Sequence, residues 1–251
     1  MKIKLFRLAL LALVAGWLAA CSSRTTTPPL VLGTDAKLPP FASRSDTAEG
    51  GFAGFDIEIA KAIAAHAGRP LLIKELDFVD LLPALAADQV DFVVAAMSIT
   101  PERRQAADFS EPYYNATPVV ITLAGQPAPQ TAEDLRDKRL AALPGSAGAA
   151  LAGDLTSMEN VLLMGALWDA VILLKNSGTD AIVLDEQPAR ALVQGDPEIT
   201  LTQLDFPPDH YGVAVRTGRA DLLTTVNAAL AAAKADGRYT RWLNQWLLLR
   251  D

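Results

Sequence analysis

An α/β fold in two units, each a mostly parallel sheet flanked by helices, is what the order of apolar segments predicts. Three observations carry it. Short segments at 30–35, 70–75, 92–97, 139–143 and 181–184 are bounded by polar or turn residues, as befits strands covered on both faces. Helical patterns stand between them, at 55–66 and 78–86 in the first half and at 167–175 and 188–193 in the second, which is the alternation of parallel sheets. Stretches rich in proline, glycine and polar residues, at 122–138 and 206–212, interrupt that alternation and mark places where the chain crosses between units.

The first unit begins with LVLGTD, a buried strand ending on Asp35, followed by a loop with Pro39, Pro40 and Phe41. Gly50 and Gly51 suggest a hairpin or loop tip. In the 55–66 helix, Phe55, Ile59, Ala62, Ile63 and His66 share one face, and Gly68 stands where helices end in left-handed backbone. The 78–86 helix turns Leu81, Leu82 and Leu85 inward, and an apolar strand at 92–97 stops at Ser98. Thr100 is then a good N-cap, Pro101 suits the first helical position, and Glu102 lies in the first turn where the helix dipole favours an acid. The free N–H groups of this helix, the Ser98 hydroxyl and the Arg103 guanidinium could converge on one small anion, the planar fork matching a carboxylate. The plainer reading of the same residues is a capped surface helix with Arg103 and Arg104 solvated.

In the second unit a strand at 139–143 enters Pro144-Gly145-Ser146-Ala147-Gly148, a second strand-to-helix turn with small residues at the helix start. It lacks the Lys-Ser/Thr of a phosphate-binding loop. The 167–175 helix places Leu167, Val171 and Leu174 on one face with Trp168 packing beside them. The strand at 181–184 carries Asp185 at its carboxyl end, and a strand near 199–204 completes the unit. Residues 211–215 form a strand that rejoins the first unit. An Ala/Leu-rich helix at 221–236 and a terminal helix at 239–249, with Trp242 and Trp246 packing, close the chain.

The N-terminus reads separately. Lys2, Lys4 and Arg7 precede an apolar run at 8–20 that leads to Cys21, a secretory signal pattern. As a helix the run would be about 20 Å long, short of the roughly 30 Å of a bilayer core. Cys21 is the single cysteine of the 251 residues, so no intramolecular disulfide is available. The SSRTTTPP segment after it suits a flexible tether. Loss of residues 1–20 removes three basic side chains and takes the net charge from −7 to −10, which argues against a nucleic-acid partner. His66 and His210 are not at metal-ligand spacing, and no nucleophile is paired with a base; no metal, cofactor or catalytic residue is expected.

Several motifs resemble one family. SITPERRQAADFSEPYY is similar to the signature of the bacterial extracellular solute-binding proteins that serve polar amino-acid ABC importers, and the Pro39-Pro40-Phe41 loop, GFDIEIA, FVDLLPALAADQVDFV, GVAV and the C-terminal AALAAAKADGRYTRWLNQW run resemble the same family. Leu18-Ala19-Ala20-Cys21 resembles the lipobox, in which the cysteine is lipidated.

The resemblance implies a two-lobed type II periplasmic binding fold. The segments would be a signal peptide at 1–20, a lipidated tether at 21–29, one lobe at 30–117 and 208–251, and another at 118–207. It implies that Arg103 clamps an α-carboxylate with help from Ser98 and the Ser146-Ala147 turn, while Asp185 takes the α-ammonium. Asp35 would face the ligand side chain, Phe78 would pack on it, and Phe41 and Ala96 belong to the same ligand set; on local grounds Asp35 serves equally as a loop cap and Phe78 as a core residue. Leu38 stands where many members have an aromatic lid, and Ala147 where they have a hydroxyl. The placement of Asp35, Ser98 with Arg103, the Ser146-Ala147 turn and Asp185 just after strands also agrees with the general rule that α/β sheets bind ligands at their carboxyl ends.

The expected function is capture of a free amino acid with a polar side chain, basic or amide, by a monomer anchored to the cell envelope through Cys21, with delivery to ABC permease subunits. Two alternatives remain: an enzyme similar to cyclohexadienyl dehydratases using the same cleft, and a ligand-sensing module for a membrane receptor.

Overall fold

The computed structural model describes residues 27–248; the 1–20 signal segment, Cys21 and most of the tether lie outside the described residues. Strand β1 (Leu30–Thr34) is followed by a small antiparallel sheet of β2 (Lys37–Leu38), β3 (Ala42–Arg44) and β4 (Phe52–Ala53), then by α1 (Phe55–His66) and β5 (Leu71–Glu75). A tight turn at Phe78–Asp80 and α2 (Leu81–Ala86) lead to β6 (Phe92–Val93), the single turn α3 (Pro101–Arg104), β7 (Ala107–Phe109) and β8 (Tyr114–Ala116). The middle of the chain contributes β9 (Pro118–Leu123), β10 (Leu140–Ala142), α4 (Ala147–Leu155), β11 (Val161–Leu163), α5 (Leu167–Lys175), β12 (Ala181–Asp185), α6 (Glu186–Gln194) and β13 (Ile199–Thr202). It ends with β14 (Asp209–Tyr211), β15 (Ala214–Arg216), α7 (Ala220–Ala235) and α8 (Arg238–Trp242), which runs on as a π-helical turn at Leu243–Leu247.

Two five-stranded sheets result, in the orders β5-β1-β6-β15-β7 and β11-β10-β12-β9-β13. In each, four strands run in one direction and one antiparallel strand is inserted: β15 between β6 and β7, and β9 between β12 and β13. The two chain crossings pair with each other as the β8–β14 ribbon. Both faces of each sheet are covered, as the unbroken apolar runs require. Leu30, Leu32 and Phe92 enter one core with α1 and α7, while Val31 and Val93 face another with α2. Val119, Ile121, Ile182 and Leu184 alternate in the same way with Val120 and Val183 across the second sheet. Each fully buried aliphatic side chain of this kind contributes about 1.5–3 kcal/mol of transfer free energy.

Five expectations need correction. The strand expected at 92–97 pairs only over Phe92–Val93, because Ala96 adopts a left-handed backbone (φ 47°) that no strand ladder accommodates. The helix expected after Thr100 is one turn; Thr100 accepts the Arg103 N–H at 3.2 Å, so that donor is already used by the cap. His66 is exposed, not on the packed face, and Trp168 is 58% exposed beside an equally exposed Ile172. The 211–215 strand is split, since Tyr211 belongs to the crossing ribbon and β15 starts at Ala214.

Candidate functional site

A cavity of about 210 Å³ lies between the carboxyl ends of the strands of the two sheets. The first sheet contributes Asp35 and Leu38 after β1, Phe78 after β5, and Ala96 and Ser98 after β6. Ser146 and Ala147 after β10, and Asp185 at the end of β12, face it from the second. These residues come from five segments far apart in sequence, and strand direction brings them together. Leu38 also packs against the main cores of both sheets.

Asp185 is the most strongly perturbed group on the cavity wall. Its Oδ2 accepts the hydroxyl of Tyr211, and its Oδ1 is buried without a hydrogen-bond partner. Burial pushes the carboxyl up to about 7, opposed by the Tyr211 hydrogen bond and assisted by the charge of Asp209. Such a carboxylate favours any arriving cation that satisfies its free oxygen. Tyr211 itself is fully buried, and its ring packs edge-on against Phe41 with centroids 5.4 Å apart.

Ser98 donates its hydroxyl hydrogen to Oδ2 of Asp209 at 2.5 Å. Arg103 does not line the cavity but spans its rim. Its Nη1 donates to the Ser98 carbonyl at 2.9 Å, its Nη2 to the Gly145 carbonyl of the opposite unit at 2.5 Å, and its guanidinium lies 5.2 Å from the centroid of the Phe78 ring. Burial holds this guanidinium below the usual arginine range, with Asp209 and Glu102 opposing. The Ser146 hydroxyl caps α4, accepting from Ala149 N–H at 3.1 Å and donating to the Leu143 carbonyl at 2.8 Å. The Ala147 and Gly148 N–H groups ahead of Ala149 have no intrahelical acceptor. Gly148 lets this helix end sit against β12, for a Cβ there would stand 2.8 Å from the Val183 carbonyl oxygen.

Ala96 is held from behind. Asp56, in the first turn of α1 and fully buried, accepts the Ala96 N–H at 2.7 Å and the Tyr113 hydroxyl at 2.9 Å. Burial raises its carboxyl to about 7. Phe41 is a correction: it is 1% exposed, outside the cavity wall, in a cluster with Phe55, Tyr114 and Tyr211. The two preceding prolines turn the chain back towards α1, so this ring fills the core beneath the site.

Asp35 is oriented by two backbone donors, Lys37 N–H to Oδ1 and Phe78 N–H to Oδ2, each at 3.1 Å. Burial raises its carboxyl above the ordinary value, with Lys37 opposing. Lys37 and Asp77 line the same part of the cavity and form an ion pair.

Reading the sequence missed Tyr211, Asp209, Asp56, Lys37 and Asp77. Asp56 has a weak local signal, an acid inside the apolar GFDIEIA run; the others look like ordinary loop or strand residues. Among the described residues no cluster of three or more His, Cys, Asp and Glu side chains could hold a metal ion, and no helix is long and apolar enough to cross a membrane.

The family model for bacterial extracellular solute-binding proteins, family 3, matches residues 30–249. An ABC transporter arginine-binding protein 1 of Escherichia coli (strain K12) is 31% identical over 245 residues, covering 96% of this chain and 98% of the relative. An ancestral arginine-binding protein bound to arginine superposes with a TM-score of 0.81 at 32% identity, covering 89% of this chain and 100% of that one. The same kind of ancestral protein bound to glutamine gives 0.80 at 33% identity, covering 88% and 98%.

Proposed function

The chain belongs to the bacterial extracellular solute-binding proteins, family 3, and on that premise we propose that it captures a free α-amino acid in the cavity between its two sheets and delivers it to an ABC importer. The observation that carries this reading is Asp185: a buried carboxylate on the cavity wall with one oxygen unpaired suits an α-ammonium group. Relatives named as arginine-, histidine- and glutamine-binding proteins support the ligand class.

In this reading Asp185 takes the ammonium, and Arg103, Ser98 and the backbone of the Ser146-Ala147 turn take the carboxylate. Arg103 would exchange its bonds to the Ser98 and Gly145 carbonyls for the ligand. Asp35, Leu38, Phe78 and Ala96 surround the ligand side chain. Charge-assisted hydrogen bonds contribute about 1.5–3 kcal/mol each, enough together to bias the units towards a closed arrangement around ligand. The β8–β14 ribbon of the two crossings is the hinge. The protein works as a monomer without enzymatic turnover, is lipidated at Cys21, and is held to a membrane beside its permease partner.

Calorimetric titration of the full-length protein, unfolded and refolded to strip bound ligand, against the twenty amino acids tests this reading. One or a few amino acids should bind, and Asp185→Asn should abolish binding. Binding of none, or binding untouched by the substitution, would reject it; turnover of a cyclic acid would favour the dehydratase-like alternative, for which an acid near neutrality is also suited.

A further inference from the structure

Beyond the α-ammonium and α-carboxylate contacts, the remaining end of the cavity has its own charge pattern, set by the loops after β1 and β5. These two strands run side by side in parallel register, Thr34 opposite Glu75, so Asp35 and Asp77 emerge next to each other. Between them stands Lys37, the one cationic side chain among the described residues of the cavity wall. Its ammonium is paired with Asp77, while its own backbone N–H holds Asp35.

We infer that Lys37 is a specificity-determining residue: its ammonium, paired with Asp77 beside Asp35, stands where a cationic ligand side chain would be attracted and tips selection towards uncharged, hydrogen-bonding side chains. The inference rests on the amino-acid reading above. Without Lys37 this end would present two carboxylates, the environment that suits a guanidinium or an ammonium group. With it, one carboxylate is already matched, and an incoming cation meets a like charge. An amide side chain meets no such opposition. Asp35 has two backbone donors on its two oxygens, and an ionised carboxylate offers about four acceptor positions, so it can still receive the N–H groups of an amide. The partners are well exposed, 48% for the Lys37 side chain and 64% for that of Asp77, so neither is a core element and both can be replaced without opening a buried void.

The test compares L-arginine and L-glutamine by calorimetric titration of the full-length wild type, Lys37→Met and Asp77→Asn, at about 0.01 M and about 1 M ionic strength, where the Debye lengths are roughly 30 and 3 Å. Lys37→Met should move the ratio of affinities about tenfold towards arginine at low salt, and this shift should shrink at high salt. Asp77→Asn, which leaves the lysine unmatched, should move the ratio towards glutamine. A ratio that stays within about twofold in Lys37→Met, or that moves towards glutamine, overturns the role of Lys37 while leaving the amino-acid reading intact. If the wild type binds neither these nor any other amino acid, that reading falls and this inference with it.

Discussion

Tyr211, on the strand that leads the chain back to the first sheet, donates its hydroxyl hydrogen to Asp185, at the end of a strand in the second. The acid proposed to hold the ligand is thus tied to the crossing proposed as the hinge. In the proposed reading, that one hydrogen bond would couple ligand contact to closure of the units. Replacing Tyr211 with Phe removes the donor and leaves the ring, so the packing against Phe41 survives. Affinity should fall about tenfold at pH 7, and the pH at which binding reaches half its maximum should move upwards, as titrations between pH 6 and 9 would read. An unchanged profile would show that the bond plays no part in binding.

The Asp185 carboxyl, pushed up to about 7 by burial, sets a pH dependence of binding. An ammonium ligand requires the ionised form, so affinity should be full above pH 8 and fall about tenfold per unit below 7. Calorimetry at pH 8, 6 and 5 measures it. Stability without ligand runs the other way. A carboxyl with a higher pKa folded than unfolded binds more protons in the folded state, so stability is greatest below about pH 4 and declines as pH rises towards 7. Asp56, also raised to about 7, adds to that decline, each acid contributing up to about 4 kcal/mol. Urea unfolding at pH 4.5 and 8 should show the loss, and Asp56→Asn should flatten it.

Arg103 joins Ser98 to Gly145 across the cavity rim through two separate guanidinium bonds. Lysine supplies the charge but not the fork. Arg103→Ala should reduce affinity at least a hundredfold and Arg103→Lys at least tenfold, with little change in the thermal midpoint. Titration and thermal melting of the two variants separate a role in binding from one in folding; affinity retained in Arg103→Ala would remove it from the ligand clamp.

Phe41 and Phe78 look alike in the sequence and differ in the fold. Phe41 is buried in the aromatic cluster, whereas Phe78 lies on the cavity wall under Arg103. Phe41→Ala should cost about 3–5 kcal/mol of stability. Phe78→Ala should cost less stability and more affinity. Paired denaturation and binding measurements would reverse this assignment if the two losses were exchanged.

Gly148 permits the close approach of α4 to β12. The neighbour is a backbone carbonyl, which cannot swing away. Gly148→Ala should destabilise by about 1–3 kcal/mol and weaken ligand binding by displacing the helix start, measurable as a lower urea midpoint and a reduced affinity. No change in either would mean the helix shifts freely.

Elements whose cause is local are legible in the residues alone. The buried strand at 30–34, the cap at Thr100, the helix start after Ser146, and the placement of Asp35 and Asp185 at strand ends all follow from residues within a turn or a strand of one another. Contacts that reach across the fold come from packing. Asp56 bonds Ala96 40 residues away, Tyr211 bonds Asp185 26 away, and Ser98 bonds Asp209 111 away. The 92–97 strand is cut short by the left-handed backbone at Ala96, whose N–H is held by Asp56. The Phe41 ring goes to the core because the returning Tyr211 lies there to receive it. Local propensity acts over a few residues, whereas the orientation of a buried carboxylate depends on which donors the packed strands deliver to it.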